Sequence, residues 1–141
     1  MKNLIDIIKE EGDSKIWKYV ANNGTELRCE IYRNIDLGHL CGYIIITDDF
    51  EFYGKEFLTP PNCKTLNYYN LNDNGEYQVG FDCGGFSDII PYLNHLISTS
   101  NFKTYKDMEY VKEECEILAE FISTRPSLKK IRRDNINDIL E

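Results

Sequence analysis

Hydrophobic positions near the amino terminus fall at Leu4, Ile5, Ile7 and Ile8 and stop at Gly12, a spacing that predicts a short amphipathic helix closed by a glycine. A second helical stretch is expected over residues 14–20. After the turn signal Asn22-Asn23-Gly24 the pattern changes to alternation, with Leu27, Cys29 and Ile31 on one side and Glu26, Arg28 and Glu30 on the other. That is the mark of a half-buried strand. Gly38 and Gly42 flank His39-Leu40-Cys41, and the β-rich residues 43–47 predict a central strand ending at Thr47-Asp48-Asp49. Residues 50–57 read as a loop with aromatic content around Gly54 and Lys55, and Pro60-Pro61-Asn62 interrupts regular structure before a strand at 64–69. Leu71-Asn72-Asp73-Asn74-Gly75 then predicts a hairpin turn into an alternating strand over 76–83, which runs into Gly84-Gly85.

The carboxy-terminal part changes period again. Residues 86–103 lack one and predict a long functional loop. Thr104 is placed to cap a helix whose apolar positions Met108, Val111, Cys115, Leu118, Ala119 and Ile122 step by three or four, leaving Glu113, Glu114, Glu116 and Glu120 to face water. Ser123-Thr124-Arg125-Pro126 ends it, and Ser127 can cap a last helix carrying Leu128, Ile131, Ile136, Ile139 and Leu140. A helix, then strands, then helices predicts an α+β fold: an antiparallel sheet with an N-terminal helix and two C-terminal helices, forming one domain over residues 1–141.

Composition narrows the partners. Sixteen Lys and Arg against twenty-four Asp and Glu leave a net charge of −8, a field that repels a nucleic-acid polymer or an anionic bilayer. An anionic ligand therefore needs a local cluster of cations. The longest uninterrupted apolar run, Tyr43-Ile44-Ile45-Ile46, falls far short of the roughly 18 residues a membrane span needs. The first ten residues carry Asp6 inside their apolar stretch and do not read as a secretory signal, so a cytoplasmic location is expected. The five cysteines, Cys29, Cys41, Cys63, Cys83 and Cys115, are odd in number and widely spaced, which suits small buried hydrophobes better than a disulfide framework or zinc ribbon.

No catalytic or cofactor motif is present, and no cofactor is expected. A Cys-His nucleophile from Cys83 or Cys41 with His39 or His95 is formally possible, but two histidines and five cysteines pair by chance in many proteins and buried structural Cys is the alternative; a metal site from His39, Cys41, Asp82, Cys83 and His95 lacks ligand-type spacing. Two aromatic stretches suit a binder better. In Phe50-Glu51-Phe52-Tyr53-Gly54-Lys55-Glu56-Phe57 an aromatic face could stack a nucleobase while Lys55 meets a phosphate, or the cluster could simply pack over a turn. In Phe81-Asp82-Cys83-Gly84-Gly85-Phe86 the glycines could admit a ligand close to the backbone or merely end a strand. Lys103, Lys106 and Lys112, and the run Arg125, Lys129, Lys130, Arg132 and Arg133, reverse the local charge; they could bind phosphate groups, but a solvated helix face paired with the glutamate-rich neighbour helix is the favoured reading of that run.

The succession Gly38-His39-Leu40-Cys41-Gly42-Tyr43-Ile44, Phe52-Tyr53-Gly54-Lys55, Val79-Gly80-Phe81-Asp82-Cys83 and Tyr105-Lys106-Asp107-Met108-Glu109-Tyr110-Val111-Lys112-Glu113-Glu114-Cys115 with Leu118-Ala119 resembles the first-described type of Thoeris anti-defence sponges, small bacteriophage proteins. The resemblance covers about residues 38–122. It implies a counter-defence protein that binds, without cleaving, cyclic ADP-ribose isomers made by bacterial TIR-domain immune enzymes. It further implies a homo-oligomer with pockets between subunits, and cyclic oligonucleotides as possible further ligands. By the same resemblance Phe81 would stack the base, Asn94 would contact the nucleotide, and Lys55 and Lys106 would occupy basic positions suited to phosphate. Tyr53 and Phe86, from the two aromatic stretches, complete the candidate ligand-binding set. The chain departs from the family at Asn62-Cys63-Lys64-Thr65-Leu66, where many relatives carry a His-Gly-Gly segment, and this leaves the ligand open. Direct inhibition of an immune effector by protein contact is the alternative reading.

Overall fold

The structure, a computed structural model, describes residues 3–54, 66, 68–84, 88–94 and 105–140, with the side chains of residues 93, 94 and 137–140 left aside. Helix α1 (Leu4–Glu11) begins where the Asn3 side chain accepts from the Asp6 amide and ends at Gly12, whose φ of 83° an L side chain rarely adopts. Among the described residues five strands follow: β1 (Ser14–Val20), β2 (Glu26–Arg33), β3 (Leu40–Ile46), β4 (Tyr68–Leu71) and β5 (Tyr77–Asp82). After them come the single turn α2 (Pro91–Asn94) and two longer helices, α3 (Met108–Ser123) and α4 (Leu128–Leu140). Every pairing in the sheet is antiparallel, in the order β1-β2-β3-β5-β4. The fold is the expected α+β arrangement, with β3 central.

The core lies between one face of this sheet and α3. Alternation directs Leu27, Cys29 and Ile31 of β2, Leu40, Ile44 and Ile46 of β3, and Tyr77, Val79 and Phe81 of β5 inward, where all are buried. The apolar stripe of α3, Val111, Cys115, Leu118, Ala119 and Ile122, closes over them. Gly42 makes one close approach possible. A Cβ there would lie 2.7 Å from Cys115 Sγ and 2.8 Å from Phe81 Cζ, so the helix and the Phe81 ring settle where a side chain would have stood.

Residues 14–20 form a strand, not the expected helix. Ile16, Trp17, Tyr19 and Val20 sit at steps of one, two and one, which a helix stripe and a two-sided strand share. Their β-branched and aromatic character and the pairing with β2 decide for the strand. Trp17 and Tyr19 turn toward α3, while Ile16 and Val20, 59% and 56% exposed, turn away. Two glutamates of α3 expected in water are thereby engaged: Trp17 Nε1 donates to Glu116 (3.3 Å), and Tyr19 Oη (2.7 Å) and the Asn22 amide (3.1 Å) donate to Glu120. The bond to Glu120, with burial, pushes the Tyr19 phenol up to about 12.

Helix α3 is capped by Asp107, whose carboxylate accepts from the Tyr110 amide at 2.8 Å; the expected cap, Thr104, lies outside the described residues. A second cap comes from across the fold, because Glu11 of α1 accepts the Met108 amide at 3.0 Å. The same glutamate meets Tyr105 and the guanidinium of Arg33, whose side chain is only 2% exposed. All five Arg33 N–H donors are used, on Asp13, the Gly38 carbonyl, Tyr105, Glu11 and the Gly12 carbonyl. Arg33 thus fastens α1, the β2–β3 connection and the approach to α3 at a single point. Strand β4 covers the last part of the expected 64–69 strand and continues to Leu71, and Ser127 caps α4 as expected, accepting from the Lys130 amide.

Candidate ligand-binding site

At the end of the sheet where β3 begins and β5 stops, polar groups collect in the interior. The turn leading into β3 is held by Asn34, whose side chain accepts from the Asp36 and Leu37 amides and whose own amide donates to the His39 carbonyl. Gly38, in that turn, has φ of 87°, and a Cβ on it would meet the Tyr92 ring at 2.9 Å. Only glycine satisfies both the left-handed backbone and the ring lying on it. The Tyr92 amide donates to the Leu37 carbonyl, which ties α2 to this turn, and the Tyr92 side chain stays 39% exposed.

His39 follows, 6% exposed, its ring resting on the Gly84 backbone so closely that a Cβ at 84 would approach it to 3.1 Å. Asp82 is near; its carboxylate accepts from the Gly84 amide at 3.1 Å. Asp88, 2% exposed, lies beside Lys106, whose Nζ is 3.7 Å from Asp88 Oδ1 and 5.3 Å from the centre of the Tyr110 ring. Burial pushes His39 below the usual histidine range, against the pull of Asp82 and Asp88, so the imidazole is neutral at pH 7. Among the described residues His39 Nδ1 has no hydrogen-bond partner.

Of the six candidate residues, this pole holds Lys106 and the backbone of Asn94, which ends α2. Lys106 is not a spare cation there, since Asp88 already answers its charge. Phe81 belongs to the core at 1% exposure, with its ring against Gly42, and presents no face on which a base could stack. Tyr53 lies at the opposite end of β5, donating to the Gly75 carbonyl at 2.9 Å with its ring 5.8 Å from Tyr77. The length of β5, five residue steps or about 17 Å, separates the two ends within one chain. Lys55 and Phe86, and the side chain of Asn94, lie outside the described residues. Sequence reading singled out neither Asp88 nor Tyr92; a lone Asp and a Tyr in an aperiodic stretch carry no pattern, and only the fold sets them beside His39 and Gly38.

Three cations of the basic run are paired, though not with α3. Lys129 bridges to Asp48, Arg133 to Asp49 at 2.8 Å, and Lys130 to Asp134 of its own helix, so the acidic turn after β3 answers α4. Arg125 lies over the Phe121 ring at 5.2 Å. Burial raises the Cys41 thiol, which works against a thiolate nucleophile at that position. Among the described residues no three His, Cys, Asp or Glu side chains converge as metal ligands, and no helix is long and apolar enough to cross a membrane. Comparison with family models, curated proteins and solved structures finds no match for the chain.

Proposed function

We propose that the protein sequesters a small nucleotide signal, a cyclic ADP-ribose isomer in the first instance, without cleaving it, and that it acts in the cytoplasm of a bacterium infected by phage. The observation that carries the reading to a site is the buried His39 Nδ1, which has no hydrogen-bond partner among the described residues and lies within the influence of Asp82 and Asp88. A buried polar atom left without a hydrogen bond costs about 1–3 kcal/mol, which a polar ligand entering the pole would recover. The exposed Tyr92 ring offers the stacking face that Phe81 lacks, and base–aromatic contacts are typically worth about 1–3 kcal/mol. Sequestration asks for a buried ligand and slow release, and for no activated nucleophile.

The reading includes self-association. Leu128, Ile131 and Ile136 of α4 are 68%, 40% and 56% exposed, and the first two line a groove of about 570 Å³ with Phe50, Tyr53 and Pro126. An apolar surface of this kind supports a contact between copies, through which Tyr53 could join a neighbour's pole. It equally supports the second reading, direct contact with an immune effector.

Incubation of the purified chain with the nucleotide mixture from an activated TIR-domain enzyme, removal of free ligand, heat release and mass spectrometry test the proposal. An intact cyclic ADP-ribose isomer is expected, with capture reduced roughly tenfold or more in Tyr92→Ala, as loss of a stacking contact implies. A cleaved product would make the protein an enzyme. No captured nucleotide would transfer the case to protein contact.

A further inference from the structure

Strand β1 ends the sheet, and among the described residues nothing pairs with its outer side. The ladder to β2 fixes which of its backbone groups point there. The Arg33 amide donates to the Asp13 carbonyl and the Ala21 amide to the Thr25 carbonyl; bonded positions alternate in an antiparallel pair, so the odd-numbered residues between them also face β2. The amides and carbonyls of Ser14, Ile16, Lys18 and Val20 therefore point outward from the sheet. All four residues are exposed, Ile16 by 59% and Val20 by 56%. Such an edge is a template for a further strand.

We propose that this edge pairs with β1 of a second copy of the chain, antiparallel about a two-fold axis at Trp17, joining the two sheets into one. Outward groups bond only to outward groups, so an even-numbered residue must stand opposite an even-numbered one. Of the registers that meet this rule, the one centred on Trp17 pairs the whole strand, with Ser14 opposite Val20 and Ile16 opposite Lys18 of the second copy. Centring on Lys18 would set two ammonium groups face to face, and centring on Ile16 would leave Tyr19 and Val20 beyond the end of the partner strand. Lysines usually keep sheet edges apart, and here each has an acidic answer. Lys18 bridges to Glu26 of its own chain at 3.3 Å. Lys15, exposed and without an ion pair among the described residues, lies on the α3 side with Trp17 and Tyr19 and comes opposite Tyr19 of the second copy. Tyr19 carries Glu120 on its hydroxyl, and Glu120 takes that hydroxyl and the Asn22 amide but meets no cation among the described residues. Within one chain Lys15 and Tyr19 stand about 13 Å apart along the strand; across the axis they are direct neighbours, so each copy brings a cation to the other's Glu120.

Sedimentation of the full chain tests this on a background carrying Leu128→Asp and Ile131→Asp, which charges the α4 surface and leaves β1 untouched. A dimer is expected there, and Ile16→Pro is expected to return it to monomer: proline removes an outward amide, and the ladder to β2, which does not use that amide, stays whole. A monomer on the α4 background, or a dimer that persists in a folded Ile16→Pro protein, would overturn the pairing. Should the proline variant fail to fold, Lys15→Glu and Glu120→Lys decide. Each alone sets like charges across the axis and is expected to weaken the dimer several-fold, whereas a mixture of the two restores opposite charges at both contacts and is expected to associate more tightly than either component. A mixture that associates no better than its components would overturn the proposal. None of these outcomes bears on nucleotide capture at the pole, which stands or falls on its own test.

Discussion

His39 is the residue on which the candidate site turns, and its burial gives it a second, independent signature. The imidazole is held below its ordinary range by burial, so in acid the unfolded chain takes up a proton that the folded chain refuses. Stability therefore stays level at neutral pH and falls as pH drops below about 6.5, where an unfolded histidine begins to charge. Between pH 7.5 and 5.5 a thermal melt of the wild-type chain is expected to lose several degrees of Tm, and His39→Gln to lose less; parallel slopes in the two proteins would mean that His39 is free to protonate in the fold. Phe81 gives the opposite lesson. Its place at a strand end beside two glycines reads equally as a stacking face or as core, and only the position of α3 over Gly42 settles which. Because truncating a core phenylalanine costs about 3–5 kcal/mol, lost binding in Phe81→Ala would report on the fold before it reported on a site.

Among the elements, α3 was the most legible, since its stripe of apolar residues at steps of three and four needs no tertiary information. Its start was not. Asp107 caps the helix and Glu11, 97 residues away in sequence, receives the Met108 amide, a contact no local pattern could announce. Asp107→Ala is expected to cost about 1 kcal/mol in a urea titration, the usual worth of such a cap, since the Glu11 contact remains. A loss several times larger would mean that the cap also holds the Lys106 segment next to it. Strand β1 reads as a helix in sequence because both of its faces carry apolar residues among polar ones, and the partner that disambiguates it, β2, lies beyond the Asn22-Asn23-Gly24 turn.

At the scale of the molecule the sheet and α3 form a closed unit, whereas α4 buries no described side chain and is held to the acidic turn by exposed ion pairs, each typically worth under about 1 kcal/mol. Charging its apolar face should leave the core intact. Under the proposed self-association, Leu128→Asp combined with Ile131→Asp is expected to keep the circular dichroism of the wild-type chain and to lower its mass in sedimentation; an unchanged mass would remove α4 from the proposed contact. How the elements stack followed from their order in the sequence, but the gathering of His39, Asp88, Lys106 and Tyr92 did not, because it depends on where three separate connections end.

The chain's single tryptophan, Trp17, lies on the edge strand with its indole N–H on Glu116. It is in effect a built-in lamp at the seam between β1 and α3, two strands removed from β3 where the pole begins. Its emission will follow that seam parting on denaturation and will stay dark to a guest at the pole, so ligand titrations have to be followed by heat or by mass.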